Sequence, residues 1–248
     1  ENRYTKKFDF NGALTGAGPQ GNMLQASNGK LYGMTSYGGL NDKGTLIEYD
    51  IANDLFTKRL DFDGSTNGAN PYGSLTQSSN GKLYGMTVFG GLNGQGTLFE
   101  FDPTTNNLSK KFNFSINTTG AFPYGNLVQS SNGKLYGMAA GGSESRGVLF
   151  EYNPSSNQYT IKSEFNGSNG AYPGASLLFT KNIQTITFSS LPLKSYGDGD
   201  FSLTASASSG LAIQYTSSDP SIALITGNSV SILAAGSVII TASQSGND

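Results

Sequence analysis

The heptapeptide Asn-Gly-Lys-Leu-Tyr-Gly-Met occurs at Asn28–Met34, Asn80–Met86 and Asn132–Met138, and the interval is 52 residues both times. A fixed period of this length limits the fold severely, because each unit buries its apolar face only by stacking on a neighbouring copy. The flanks recur in the same order. A turn segment, Asn67-Gly-Ala-Asn-Pro-Tyr-Gly73 and then Thr119-Gly-Ala-Phe-Pro-Tyr-Gly125, precedes the heptapeptide. A double glycine follows it (Gly38-Gly39, Gly90-Gly91, Gly141-Gly142). Next come Gly44-Thr-Leu-Ile-Glu-Tyr49, Gly96-Thr-Leu-Phe-Glu-Phe101 and Gly147-Val-Leu-Phe-Glu-Tyr152. Lys/Arg-rich runs close on Phe10, Phe62, Phe114 and Phe165.

The second unit parses into four strands, about Ser74–Ser78, Lys82–Phe89, Thr97–Asp102 and Leu108–Ser115. Asn80-Gly81 between the first two predicts a two-residue type I′ hairpin, in which both central residues take positive φ. Asp102-Pro103 and Asn106-Asn107 turn the chain between the last two. Four short antiparallel strands per unit of this size match a propeller blade. The fold class expected is therefore all-β: a β-propeller-like array of four-stranded blades with a kelch-like period. Residues 1–10 supply only a last strand and Gly174–Phe179 only a first one. Three blades fall short of the four to eight that close a propeller; either the two ends combine into an incomplete fourth blade or, the favoured reading, further blades lie upstream of Glu1.

From Lys181-Asn182 the composition shifts to Ser, Thr, Ala and Ile. Short alternating runs then follow at Gln184–Leu191, Phe201–Ala205, Ile213–Ser217, Ile222–Thr226, Ser229–Leu233 and Ser237–Ala242, the pattern of a β-sandwich. The expected domains are residues 1–180 and 181–248. No helix of convincing period is visible.

The 15 Lys and Arg against 17 Asp and Glu give no field that would draw the chain to nucleic acid. Cys and His are absent, which removes disulfides, thiolate metal sites and the commonest general base. No apolar run approaches membrane-spanning length. Gly pairs such as Gly38-Gly39 sit in no strand-to-helix junction and are not phosphate cradles.

The double glycine after an apolar strand resembles the kelch repeat in position, without its Trp. The unit as a whole, over Asn11–Phe179, resembles the Gly-rich tandem repeats of large secreted proteins of Bacteroidetes-type bacteria. In residues 184–248, Ser195-Tyr-Gly-Asp-Gly-Asp-Phe-Ser-Leu-Thr-Ala205, Tyr215-Thr-Ser-Ser-Asp-Pro220 and Ala234-Ala-Gly236 with Thr241-Ala-Ser-Gln244 resemble a bacterial immunoglobulin-like module of the adhesin type. That family continues into one further strand, so a C-terminal truncation is expected. Together the resemblances imply export by a type IX outer-membrane route, surface display, and contact with secretion machinery and outer-membrane components. The function they imply is non-enzymatic adhesion or displayed recognition, with an extracellular glycan or surface protein as partner. A carbohydrate-active enzyme or glycan-binding accessory domain is the alternative, and a purely structural stalk a further one.

Candidate sites follow from the repeat. Glu48, Glu100 and Glu151 recur at one strand position; they read as strand-edge carboxylates that pair with a neighbouring Lys or accept backbone N–H bonds rather than as a ring of cation or sugar ligands. Equivalent positions in repeated units also lack the two distinct environments that glycoside hydrolysis needs. Tyr32, Tyr84 and Tyr136 read as packing between blades. Tyr72, Phe122, Tyr124 and Tyr172 lie in Gly/Pro-flanked connections, where binding residues concentrate, and are the ligand-binding candidates. Asp42, Asp63, Asp198 and Asp200 are oxygen donors suited to Ca²⁺. Asp198 and Asp200 are the metal candidates, although Asp198-Gly-Asp200 also belongs to the immunoglobulin-like family's own turn.

Overall fold

The computed structural model describes residues 4–178 and 184–244, and the chain divides into two compact units, Glu1–Phe179 and Thr180–Asp248. The boundary read at Lys181-Asn182 and the last repeat position, Phe179, lie outside the described residues.

The first unit opens with a single helical turn, α1 (Gly12–Thr15), which periodicity did not announce. Three four-stranded antiparallel sheets follow, each a meander in chain order. The first is β1 (Leu24–Gln25), β2 (Leu31–Thr35), β3 (Thr45–Asp50) and β4 (Leu55–Asp61). The second is β5 (Thr76–Gln77), β6 (Leu83–Thr87), β7 (Thr97–Asp102) and β8 (Asn107–Asn113). The third is β9 (Val128–Gln129), β10 (Leu135–Ala139), β11 (Val148–Asn153) and β12 (Gln158–Glu164). First strands pair over two residues only, less than the alternation predicts.

The hairpin after each first strand differs from the expected type I′ turn. Gly81 has φ +79° while Asn80 stays at negative φ. The Gly81 N–H donates to the Ser78 carbonyl (2.8 Å) and the Ser78 N–H to the Lys82 carbonyl (2.9 Å). The loop is thus three residues, a tight turn followed by a left-handed glycine. Asn80 Oδ1 instead accepts the Lys82 N–H at 3.0 Å, the short local bond that lets Asn hold such a turn without adopting positive φ itself. Gly29 and Gly133 repeat the geometry.

Stacking of consecutive sheets produces the core. Tyr32, Met34 and Leu46 of the first sheet meet Leu75, Leu83, Phe99 and Phe101 of the second. Tyr84, Met86 and Leu98 of the second meet Leu127, Leu135, Phe150 and Tyr152 of the third. Tyr32 and Tyr84 are fully buried, as packing between blades requires. Residues preceding α1 extend the pattern: Phe8 stacks on Phe56 of β4 at 3.6 Å, as Phe112 of β8 stacks on Tyr159 of β12 at 4.1 Å.

Among its described residues the second unit holds seven short strands: β13 (Ile186–Phe188), β14 (Phe201–Ser202), β15 (Ala205–Ala207), β16 (Gln214–Ser217), β17 (Ala223–Thr226), β18 (Ser229–Ile232) and β19 (Ile240–Ser243). The run expected as one strand over Phe201–Ala205 divides between two sheets: β14 joins β18 and β17, whereas β15 joins β13. The division lies at Leu203, which is buried with Ala223 and Val230 and whose N–H donates to the Asn228 carbonyl at 2.7 Å. β16 pairs with β19.

Candidate functional site

Each recurrent glutamate is held from across the sheet. Register places Tyr32 opposite Glu48, Tyr84 opposite Glu100 and Tyr136 opposite Glu151. The Tyr32 hydroxyl donates to Glu48 Oε2 at 2.7 Å, Lys30 reaches Oε1 at 2.6 Å, and Arg59 Nε donates to Oε2 at 2.8 Å. Burial pushes the Glu48 carboxyl up, but these bonds outweigh it and leave its pKa below the ordinary value. Tyr136 and Lys134 bind Glu151 at 2.7 and 2.8 Å, with Lys134 the main cause of its lowered pKa. Tyr84 and Lys111 engage Glu100. These carboxylates are internal struts of each sheet.

An aromatic surface lies on the connections. In an antiparallel meander, the second-to-third connection and the link to the next sheet share one end. Backbone bonds tie the two together: Ala17 and Tyr37 exchange N–H···O bonds of 2.8 and 2.9 Å, and Ala69 and Phe89 exchange bonds of 2.8 and 3.0 Å. On this face Tyr72 stands between Tyr37 and Tyr124, with ring centroids at 6.2 and 5.7 Å. Tyr37 and Tyr72 share a short hydroxyl–hydroxyl bond, which pushes the Tyr72 pKa up to about 12. Phe122 packs against Phe89 at 5.6 Å. Arg146 lies 5.8 Å from the centre of the Tyr172 ring, which is 65% exposed. Leu40 and Leu92, at equivalent loop tips, are each 81% exposed.

The structure therefore brings Tyr72, Tyr124 and Phe122 to one face and adds Tyr37, Phe89, Leu40 and Leu92, which sequence reasoning missed. Phe89 was read as the end of a strand. The available signal was variation inside a strict frame: positions 37, 89 and 140 read Tyr, Phe and Ala while the glycines around them do not change.

Tyr172 is equivalent to Phe122 and Asn70, not to Tyr124. All three precede a proline and have positive φ (+53°, +51° and +54°), as does Gly18 (+63°). Their N–H groups donate back to the preceding unit: Asn70 to the Lys43 carbonyl (2.8 Å), Phe122 to Gln95 (3.0 Å), Tyr172 to Arg146 (2.6 Å). Left-handed backbone costs a residue with a β-carbon about 1–2 kcal/mol, and bulky side chains there are uncommon.

The acidic candidates serve turns. Asp198 Oδ2 accepts the Ser195 N–H at 2.8 Å, Asp42 Oδ1 accepts that of Gly38 at 2.8 Å, and Asp63 Oδ1 accepts those of Thr66 and Asn67 at 2.8 and 3.1 Å. Among the described residues no group of three or more acidic side chains converges as a cation site, and Asp200 joins none. The second unit carries a groove of about 780 Å³ lined by Phe188, Leu191, Phe201, Val230, Val238 and Ile240, with Lys194 5.0 Å from the centre of the Phe201 ring. No helix among the described residues is long and apolar enough to cross a membrane.

Residues 1–197 match the family model described as the Gloeobacter/Verrucomicrobia repeat. No curated protein matches the chain. Among solved structures it is similar to TolB from Acinetobacter baumannii (12% identity, 58% of this chain and 32% of that one, TM-score 0.41). It is also similar to the tricorn protease (12% identity, 67% of this chain and 14% of that one, TM-score 0.36). The chain thus spans less than a third of TolB and about a seventh of the tricorn protease.

Proposed function

The chain belongs to the Gloeobacter/Verrucomicrobia repeat family, and from that footing we propose that it is a non-enzymatic recognition module of a secreted or surface-displayed protein, acting in adhesion. The observation that carries this reading is the exposed aromatic and aliphatic face built from Tyr37, Leu40, Phe89, Leu92, Tyr124 and Tyr172 on rigidly tied connections. Exposed apolar groups gathered on one face of a rigid scaffold are the usual mark of a binding surface. The recurrent glutamates, the residues best placed for acid–base work, are each engaged by a tyrosine and a cation, which favours binding over turnover.

In this proposal residues 184–248 belong to a bacterial immunoglobulin-like spacer, and the whole is exported through an outer-membrane route of the type IX kind. That part rests on the resemblances in sequence. The test is adhesion of beads coated with the purified chain to extracellular polysaccharide and to protein-coated surfaces, with assay of released reducing ends. Retention that a Leu92→Lys substitution weakens, without product release, is the expected result. Product release, or retention that ignores the substitution, overturns the reading.

A further inference from the structure

The position before each recurrent proline is occupied by Gly18, Asn70, Phe122 and Tyr172 in successive units. What the fold requires there is a backbone: positive φ, and an N–H that, from Asn70 onward, donates to the preceding unit. Gly18 and Asn70 adopt that conformation readily. Phe122 and Tyr172 adopt it under strain, although the repeat itself supplies the easier residues. Strained positions of this kind concentrate at ligand clamps. The ring gained at Phe122 packs at a tilt against Phe89 on the exposed face, with Tyr124 two residues further along the same connection.

The polarity of this face is specific. The three segments Asn67–Ser74, Phe89–Gly96 and Thr119–Asn126, which carry Tyr72, Phe89, Phe122 and Tyr124, contain no Asp, Glu, Lys or Arg. They alternate rings with amides and tyrosine hydroxyls. Beyond these segments, Asp63 stands at the start of the Tyr72 connection, where its carboxylate caps the Thr66 and Asn67 N–H groups, and the flanking connections carry Asp42-Lys43 on one side and Glu144 and Arg146 on the other. Rings at centroid spacings of 5.7 and 6.2 Å along Tyr124, Tyr72 and Tyr37, set edge-to-face rather than coplanar, do not make a flat platform. They offer separate stacking faces on the scale of single pyranose rings.

We propose that this aromatic face, whose central segments carry no charge, binds a neutral oligosaccharide chain, and that the residue before the proline is the specificity-determining position of each unit. Sugar C–H faces stack on Tyr37, Phe122 and Tyr124, while hydroxyls bond to the intervening amides and tyrosine hydroxyls. Within the three segments an anionic chain finds no cation to repay its desolvation; Lys43 and Arg146 stand only at the borders. The inference rests on the recognition reading above and deepens it.

The experiment uses the 248-residue chain, whose tyrosine emission is unobscured because it contains no Trp. Neutral tetra- to hexasaccharides (cello-, manno-, laminari- and chito-series) and anionic oligogalacturonates are titrated while that emission is followed, and melting temperature is measured for each variant. Binding of at least one neutral series is expected. Phe122→Asn, which installs the residue that unit two already uses, is expected to raise or keep the melting temperature and to lower affinity at least about tenfold, as loss of an aromatic anchor does. Tyr124→Ala is expected to lower affinity similarly, and Thr104→Ala, at the opposite end of the sheets, to leave it unchanged. A Phe122→Asn chain that fails to fold, or that binds as the parent does, overturns the proposal, because the ring is then structural or idle. Binding only to the anionic series also overturns it. If protein-coated surfaces are retained through the face and no saccharide binds, the recognition reading stands and this one falls; if nothing is retained, both fall.

Discussion

A β-carbon added to Gly21 would stand 2.5 Å from the carbonyl oxygen of Gly73, and one added to Gly73 would come still closer to that of Gly125. Glycine at these positions is set by the approach of one unit's first strand to the next, not by a turn, since none of the three has positive φ. Gly21→Ala and Gly73→Ala are therefore expected to destabilise the first unit by about 1–3 kcal/mol each through overpacking. Gly174→Ala, where an added carbon meets nothing within 4 Å, is expected to stay within about 0.5 kcal/mol. Urea unfolding of the three variants measures the difference.

Thr87 and Thr97 face each other across β6 and β7 with their hydroxyls 2.9 Å apart, beneath Gly68. Thr35 and Thr45 do the same in the first sheet. The third sheet has Ala139 opposite Val148 beneath Gly120 instead. Each hydroxyl of the pair also bonds backbone, Thr87 Oγ1 to the Phe89 carbonyl and the Thr97 N–H and Thr97 Oγ1 to the Asn67 carbonyl, and the third sheet dispenses with the whole cluster at once. Thr87→Ala or Thr97→Val alone is expected to cost about 1–3 kcal/mol. The double variant is expected to cost less than the sum of the two, a coupling that a double-mutant cycle reads directly.

Glu48 is nearly buried, and its folded pKa lies below the ordinary 4.5. The folded state thus holds on to fewer protons at this group than the unfolded chain does. The stability it contributes is complete above the unfolded value and is lost as pH falls through the folded one. Glu151 titrates in the same direction. Thermal melts taken from neutral pH downward are expected to show stability falling through and below the ordinary carboxylate range. Glu48→Gln is expected to lower stability at neutral pH and to flatten that decline.

The repeat made the sheets legible in advance because strand alternation, the left-handed glycine and the cross-strand Tyr–Glu pair are local signals that recur three times. Register alone carries Tyr84 to Glu100, so the bland reading of the glutamates followed from the sequence. The hairpin type did not, since Asn80-Gly81 fits both a two-residue and a three-residue loop, and the choice depends on where pairing resumes at Ser78 and Lys82. The aromatic face was half legible. Tyr72 and Tyr124 were visible beside Pro and Gly, whereas Tyr37 and Phe89 looked like strand residues. Their partners lie 35 and 33 positions away, beyond any local pattern.

Gln129 shows the same limit and gives a last test. It sits in a two-residue strand without any motif, yet its amide joins two units. Oε1 accepts the Ser79 N–H at 2.9 Å, while Nε2 donates to Ser78 Oγ at 2.7 Å and to the Gly133 carbonyl at 2.9 Å. Gln77 bridges back to Ser27 and Gly81 in the same way. Gln129→Glu keeps the acceptor but replaces both donated bonds with a carboxylate oxygen facing a carbonyl. The expected loss at neutral pH is about 1–3 kcal/mol. The substituted carboxyl would be held above its ordinary pKa by that carbonyl, so protonation restores a donor and the deficit should shrink as pH falls through the raised value. Urea unfolding at neutral and mildly acidic pH distinguishes this from simple loss of packing, which would leave the deficit independent of pH.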